Sequence, residues 1–303
     1  MKSKNPYRGV VVPVVTPLKE DRSVDGEGVK RLVNLLLDSG ASPFAGGTTG
    51  EGASLSARQK EDLIALTVSA VDGKAPVYAG ISGNSLPESV EAAQRFAALG
   101  ADVVVASVPG YYPLHEAAVL RYFEELADVC PVPLFIYNIP ATTHYSIPLR
   151  LLDQLSYHPN IAGLKDSERD QNRLDQALAL WKDREDFAHL TGWAARSTEA
   201  LQKGSDGIVP STGNIDPASY AALYRAAREG NQAEAEALQQ RTDRLSALYQ
   251  KDRSLSESLV ALKVILSVLG ICGTQVMPPL YRMEREEEIH YRMLVERELE
   301  KLQ

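Results

Sequence analysis

A short run of β-branched and aliphatic residues, followed by a stretch with helical periodicity, recurs along the first two thirds of the chain. This alternation constrains the fold more than any other feature. The strand-like runs occupy residues 10–15, 43–45, 76–81, 103–108, 134–137, 161–164, 187–190 and 207–209. In the first intervening stretch, residues 26–39, the side chains of Val29, Leu32, Val33, Leu36 and Leu37 line one face of a helix, and Gly40 supplies its stop. Ser56 with Gln59, and Ser85 with Glu88, have capping-box spacing at the starts of the next two helices. Parallel strands joined by right-handed helical crossovers satisfy such an alternation, and eight of them close an α/β fold of the (β/α)₈ TIM-barrel type. An open, doubly wound sheet is the alternative. Against it, no G-x-G-x-x-G follows the first run, and no phosphate loop ending in Gly-Lys-Ser or Gly-Lys-Thr occurs.

After Asn214 the strand signals stop, and residues 218–229, 232–250, 256–269 and 284–302 read as helices. The expected organisation is a barrel over residues 1–230 with a C-terminal helical extension, residues 231–303, packed on it. Ala233, Ala237, Leu238, Leu245 and Leu248 form an apolar stripe on one extension helix, while residues 284–300 are mostly charged and read as a solvated face. Hydrophobic residues make up 44% of the chain and charged ones 24%, which fits a globular core rather than disorder. Lys plus Arg is 32 and Asp plus Glu 40, and the formal charge of −8 argues against a nucleic-acid partner held by a basic surface. Cys130 and Cys272 are too far apart in sequence for a C-x-x-C pair, so a reducing, cytoplasmic setting is expected. Pro13 and Pro17 break the apolar run near the N-terminus, which reads as a first strand rather than a signal core. The apolar stretch 264–272 is far short of the roughly 18 residues that suggest a membrane span.

In a barrel of this kind chemistry sits at the C-terminal ends of the strands, so polar residues just after each apolar run are the candidates. They are Thr48-Thr49, Tyr111-Tyr112, Tyr137-Asn138 and Lys165. Lys165 follows Ile161-Ala162-Gly163-Leu164 directly and is placed to direct its amine into the barrel mouth, where desolvation favours the neutral nucleophile. Such an amine attacks the C2 carbonyl of a 2-oxo acid to give an imine that acts as an electron sink. A lysine that only ends a strand is the competing reading. Tyr137 ends the preceding strand and is placed to emerge beside Lys165, as a proton shuttle or as a core aromatic. Thr48 and Thr49, between Gly47 and Gly50, offer hydroxyls and backbone N–H groups suited to a carboxylate, or form an ordinary glycine turn. The histidines show no metal-ligand spacing, so neither a metal nor another cofactor is expected. His144, Arg169 and Arg196 are candidates for the distal polar end of a substrate, and Trp193 for narrowing the pocket.

Together, Gly47-Thr48-Thr49-Gly50-Glu51, Pro109-Gly110-Tyr111-Tyr112, Tyr137-Asn138-Ile139-Pro140 and Gly163-Leu164-Lys165-Asp166-Ser167 resemble the motif set of the dihydrodipicolinate synthase and N-acetylneuraminate lyase family. The resemblance implies a class I, imine-forming lyase that handles pyruvate, without a metal, usually a homotetramer assembled as paired dimers. It implies that Lys165 forms the imine, that Tyr137 moves protons, and that Thr48 and Tyr111 form a relay, with Tyr111 given to the neighbouring subunit. It further implies that Thr49 binds the pyruvyl carboxylate, that the Val209 carbonyl faces the imine, and that Ser167, Gly192 and Ser211 shape the pocket. Dihydrodipicolinate synthases carry an arginine five residues after the catalytic tyrosine, where this chain has Thr142. Neuraminate lyases tend to carry an acidic pair after strand seven, where this chain reads Gly192-Trp193-Ala194-Ala195. The implied substrate is therefore 4-hydroxy-2-oxoglutarate or a 2-oxo-3-deoxy sugar acid. The alternatives are the synthase reaction, pyruvate plus aspartate semialdehyde, and a non-catalytic barrel that binds a 2-oxo acid.

Overall fold

The computed structural model describes residues 6–301. The first five residues and Leu302, the expected end of the last helix, lie outside the described residues. The strands are β1 (Gly9–Pro13), β2 (Ser42–Ala45), β3 (Tyr78–Gly80), β4 (Val103–Ser107), β5 (Leu134–Asn138), β6 (Ile161–Asp166), β7 (Ala188–Thr191) and β8 (Gly207–Ile208). All pair in parallel in sequence order, and β8 returns to β1 through Gly9 opposite Gly207, so the sheet is a closed barrel. The helices are α1 (Gly26–Asp38), α2 (Ala57–Val71), α3 (Leu86–Ala98), α4 (Glu116–Val129), α5 (Pro140–Thr143), α6 (Leu149–Leu155), α7 (Gln171–Trp181), α8 (Ser197–Gln202), α9 (Pro217–Glu229), α10 (Gln232–Gln250), α11 (Leu255–Val268) and α12 (Arg285–Glu300). The expected (β/α)₈ barrel with a helical tail is the fold observed.

Strand residues alternate between two cores, as the period of two requires. Val11, Phe44, Tyr78, Val103, Val105, Phe135 and Leu190 fill the barrel interior, while Val10, Val12, Val104, Leu134 and Ile136 face the surrounding helices. Gly163 makes room for this packing, because a Cβ there would meet the Phe135 ring at 2.4 Å. Such interior layers leave no pore and push the chemistry to the rim.

The structure corrects several local expectations. β6 runs to Asp166, so Lys165 lies within the strand rather than after it, held by pairing to Tyr137 on one side and Leu190 on the other. The capping box at Ser56 forms in full, but that at Ser85 is one-sided: Ser85 Oγ accepts the Glu88 N–H at 3.3 Å, while Glu88 Oε2 accepts the N–H of Asn84 instead. On α10 the buried positions are Ala235, Thr242, Leu245 and Tyr249, so of the expected stripe only Leu245 is buried. The polar members are satisfied there: Thr242 Oγ1 donates to Gln239 O of its own helix at 3.0 Å, and Tyr249 Oη meets Ser211 Oγ at 2.7 Å and Thr212 Oγ1 at 2.9 Å. On α12, Tyr291 and Val295 give the charged stretch one buried face. Among the described residues no helix is long and apolar enough to cross a membrane, and no group of His, Cys, Asp or Glu could hold a metal ion.

Candidate active site

β5 and β6 set the centre of the site. Their register places Tyr137 opposite Lys165, and both side chains point into the barrel. The Lys165 amine lies 3.8 Å from the centre of the Tyr137 ring and 4.8 Å from that of Phe44. The residue is only 5% exposed. Burial pulls its pKa below the ordinary lysine value, and the neighbouring Tyr137 opposes that shift. Desolvation disfavours the ammonium and so shifts the balance toward the free amine.

One residue further along each strand the side chains point outward, and there Asn138 and Asp166 are knitted together. Asn138 Nδ2 donates to Asp166 Oδ1 at 2.8 Å and to Glu168 Oε2 at 2.9 Å. Arg173 from α7 closes the group through Asp166 Oδ2 at 2.8 Å and Glu168 Oε2 at 3.3 Å. This network fixes β5 against β6 directly behind Tyr137 and Lys165. The Asn138 and Asp166 of the motifs thus act on the far side of the sheet, a role that motif spacing does not reveal.

Facing Lys165, the turn after β2 is wound on its own backbone. Gly52 N and Gly50 N donate to Gly47 O, Glu51 N donates to Thr48 O, and Thr16 Oγ1 donates to Gly50 O at 2.6 Å. The N–H groups of Thr48 and Thr49 have no backbone acceptor among the described residues. That leaves two N–H groups and two hydroxyls for a carboxylate. After β6 and β7, Ser167 N donates to Asn138 O at 2.9 Å and Gly192 N to Asp166 O at 2.6 Å. A Cβ on Gly192 would stand 2.1 Å from Ser167 Oγ and 3.2 Å from Asp166 O, so a side chain there would displace the Ser167 hydroxyl.

A cavity of about 440 Å³ joins these elements, lined by Lys165, Tyr137, Thr48, Thr49, Ser167, Gly192, Val209 and Ser211. Tyr111 is not in that lining: it stands 74% exposed, packed edge-to-face on Tyr112 at 4.9 Å. Of the distal candidates, Arg169 lines the cavity, whereas His144, Arg196 and Trp193 do not. Arg196 pairs with Glu199 at 3.3 Å and lies over Trp193 at 5.3 Å, while Trp193 packs on Leu174, Leu178 and Ala200. His144 ends α5 at a left-handed φ of 55°. The residues missed by sequence include Glu168 after β6 and, around the α10–α11 turn, Tyr249, Gln250, Arg253, Ser258 and Leu259, all of which line the cavity. Burial pushes the Tyr249 phenol up, so it stays protonated, and it accepts from Gln250 Nε2 at 2.8 Å. Among the described residues neither Arg169 nor Arg253 has a carboxylate partner; Arg253 donates to Leu248 O at 3.0 Å and lies 4.7 Å over the Tyr291 ring.

A closed parallel barrel with a desolvated lysine on β6 suits a lyase that works through carbonyl chemistry, and comparison with known proteins gives the class. The model of the dihydrodipicolinate synthetase family matches residues 6–298. The chain is 31% identical to a 4-hydroxy-tetrahydrodipicolinate synthase of Gluconacetobacter diazotrophicus, over 94% of this chain and 95% of the relative. It is 32% identical to the enzyme of that name from Laribacter hongkongensis, over 91% and 93% of the two. Among solved structures, the dihydrodipicolinate synthase of Bacteroides thetaiotaomicron superposes with a TM-score of 0.89 at 32% identity, covering 96% of this chain and 99% of that one. A prophage protein of the same family from E. coli K12, solved in complex with pyruvate, gives 0.89 at 27% identity, covering 96% and 98%. The chain belongs to the dihydrodipicolinate synthetase family, and so to the class I lyases.

Proposed function

We propose that the protein is an aldolase of a 2-oxo acid carrying a distal carboxylate, with 4-hydroxy-2-oxoglutarate as its substrate type and pyruvate as a product. The observation that carries the reading is the buried amine of Lys165 over the Tyr137 ring, at one end of a cavity far larger than pyruvate needs. The free amine attacks C2, the carbonyl oxygen leaves as water, and a protonated imine remains on Nζ. Tyr137 takes the proton of the C4 hydroxyl as the C3–C4 bond breaks, and the aldehyde leaves while the bonding pair enters the imine as an enamine. Protonation of C3 and hydrolysis then release pyruvate and restore the amine. The N–H and hydroxyl groups of Thr48 and Thr49 hold the C1 carboxylate, with Thr48 and the partner's Tyr111 as the relay behind Tyr137. Val209 lends its carbonyl to the imine, and Ser167, Gly192 and Ser211 bound the pocket. Arg169 and Arg253, unpaired within the same cavity, favour a distal carboxylate over neutral hydroxyls.

The named relatives favour a second reading, condensation of pyruvate with aspartate semialdehyde. Thr142, in the place of the arginine expected of such synthases, weighs against it. The exposed Tyr111-Tyr112 pair supports a dimer-of-dimers tetramer, and the two free, buried cysteines suit a reducing cytoplasm. The test is borohydride trapping with pyruvate followed by mass analysis. Wild type gains a pyruvyl adduct at Lys165 and Lys165→Ala gains none; an unmodified Lys165 in folded wild type refutes the imine.

A further inference from the structure

The turn that carries Thr48 and Thr49 is packed backbone against backbone where it meets β3. A Cβ on Gly52 would stand 2.0 Å from the Gly46 carbonyl oxygen, and one on Gly80 would stand 2.4 Å from the same atom. No side chain can therefore enter there to steady the turn. Its charged handle is Glu51, which sits at a φ of 58°, in the left-handed region that a residue with a Cβ occupies only when its surroundings over-determine it. Those surroundings come from the C-terminal extension. Lys263 Nζ on α11 lies 2.5 Å from Glu51 Oε1 and donates to Gln275 O at 2.5 Å, while Glu51 Oε2 accepts the N–H of Met277 at 2.7 Å. Both charged side chains are 1% exposed.

A pair buried so completely is weak evidence for stability, because desolvation of both charges offsets their attraction. What the pair does supply is a fixed geometry. We infer that Glu51 and Lys263 are positioning residues: through them α11 and the segment after it hold the Thr48-Thr49 turn in the shape that receives the substrate carboxylate. The inference rests on the reading of that turn as the carboxylate cradle. The extension has other attachments to the barrel, among them Arg31 Nε to Ile271 O at 2.9 Å and Thr198 Oγ1 to Ala235 O at 3.1 Å. Loss of the pair therefore loosens the turn without releasing the extension.

The test compares wild type with the apolar double variant Glu51→Leu/Lys263→Met, a kind of replacement that buried pairs tolerate. Calorimetry gives the Kd for pyruvate, trapping at saturating pyruvate gives the rate of imine capture, and thermal unfolding checks the fold. Kd is expected to rise on the order of tenfold, with the saturated trapping rate within about threefold of wild type. An unchanged Kd in the folded double variant overturns the inference, since a merely structural pair moves the melting temperature alone. Should the double variant fail to fold, Glu51→Gln replaces it, and there a Kd equal to that of wild type overturns the inference. Wild type that binds pyruvate without trapping it refutes the imine alone; wild type that does neither overturns both readings.

Discussion

Lys165 shows how surroundings, rather than a residue's own chemistry, shift the balance between its charged and neutral forms. Three neighbours on three strands, Phe44, Tyr137 and Leu190, shield it from water, and among the described residues it has no carboxylate partner. Arg253 is the opposite case: its guanidinium donates to Leu248 O and lies over the Tyr291 ring, with no carboxylate partner among the described residues. A distal substrate carboxylate would gain about 2 kcal/mol from one charge-assisted hydrogen bond of this kind. Arg253→Gln should therefore lower kcat/KM for 4-hydroxy-2-oxoglutarate by roughly thirtyfold while pyruvate trapping persists. Equal kcat/KM in variant and wild type would remove Arg253 from substrate recognition.

At the scale of elements, β7 carries a titration that bears on stability. His189 faces away from the barrel interior, stacks on Trp181 of α7 at 6.2 Å and meets Ser205 Oγ at 3.2 Å, while its Nε2 has no hydrogen-bond partner among the described residues. Burial lowers its pKa from 6.5 to about 4. Between those values the unfolded chain binds a proton that the folded one refuses, so stability falls as pH drops through this window. The loss should reach about 3 kcal/mol by pH 4. His189→Gln should flatten the fall in urea-unfolding free energy between pH 6.5 and pH 4.5, and an identical slope in variant and wild type would exclude His189 as its source. The strands and helices were legible because apolar periodicity reports which side of an element is buried. It does not report what the buried side touches. Lys165 and Tyr137 were found since strand ends in a barrel share one rim. Tyr249 and Arg253 were missed because nothing in α10 says that its last turn meets that rim. Glu51 was visible in its motif, but its partner lies on a helix with no motif of its own. Of the apolar stripe expected on α10, Leu245 is buried, Leu238 and Leu248 pack partly buried on the core, and Ala233 and Ala237 give way to Ala235, Thr242 and Tyr249. The hydroxyls of Thr242 and Tyr249 are hydrogen-bonded, as buried polar groups must be.

The whole molecule links its last helix to its reaction centre. Tyr291 of α12 donates to Leu248 O at 2.9 Å and lies under Arg253, so the turn lining the cavity rests on the C-terminal helix. Tyr291→Ala should cost about 3 kcal/mol in urea unfolding. It should also raise KM for the distal carboxylate substrate in protein that remains folded. A loss of stability with KM unchanged would confine α12 to a supporting role. The same long reach bears on how the enzyme is made. Met277 and Glu51 meet across 226 positions of chain, and β1 closes on β8 only when Gly207 is present. Synthesis runs from the N-terminus at about 5–20 residues per second, so the Thr48-Thr49 turn leaves the ribosome well before its anchor does. Until the barrel closes, the Lys165 amine is hydrated and protonated like any surface lysine. Under the proposed imine chemistry, a chain whose barrel has not yet closed should therefore trap pyruvate at Lys165 no faster than at any exposed lysine.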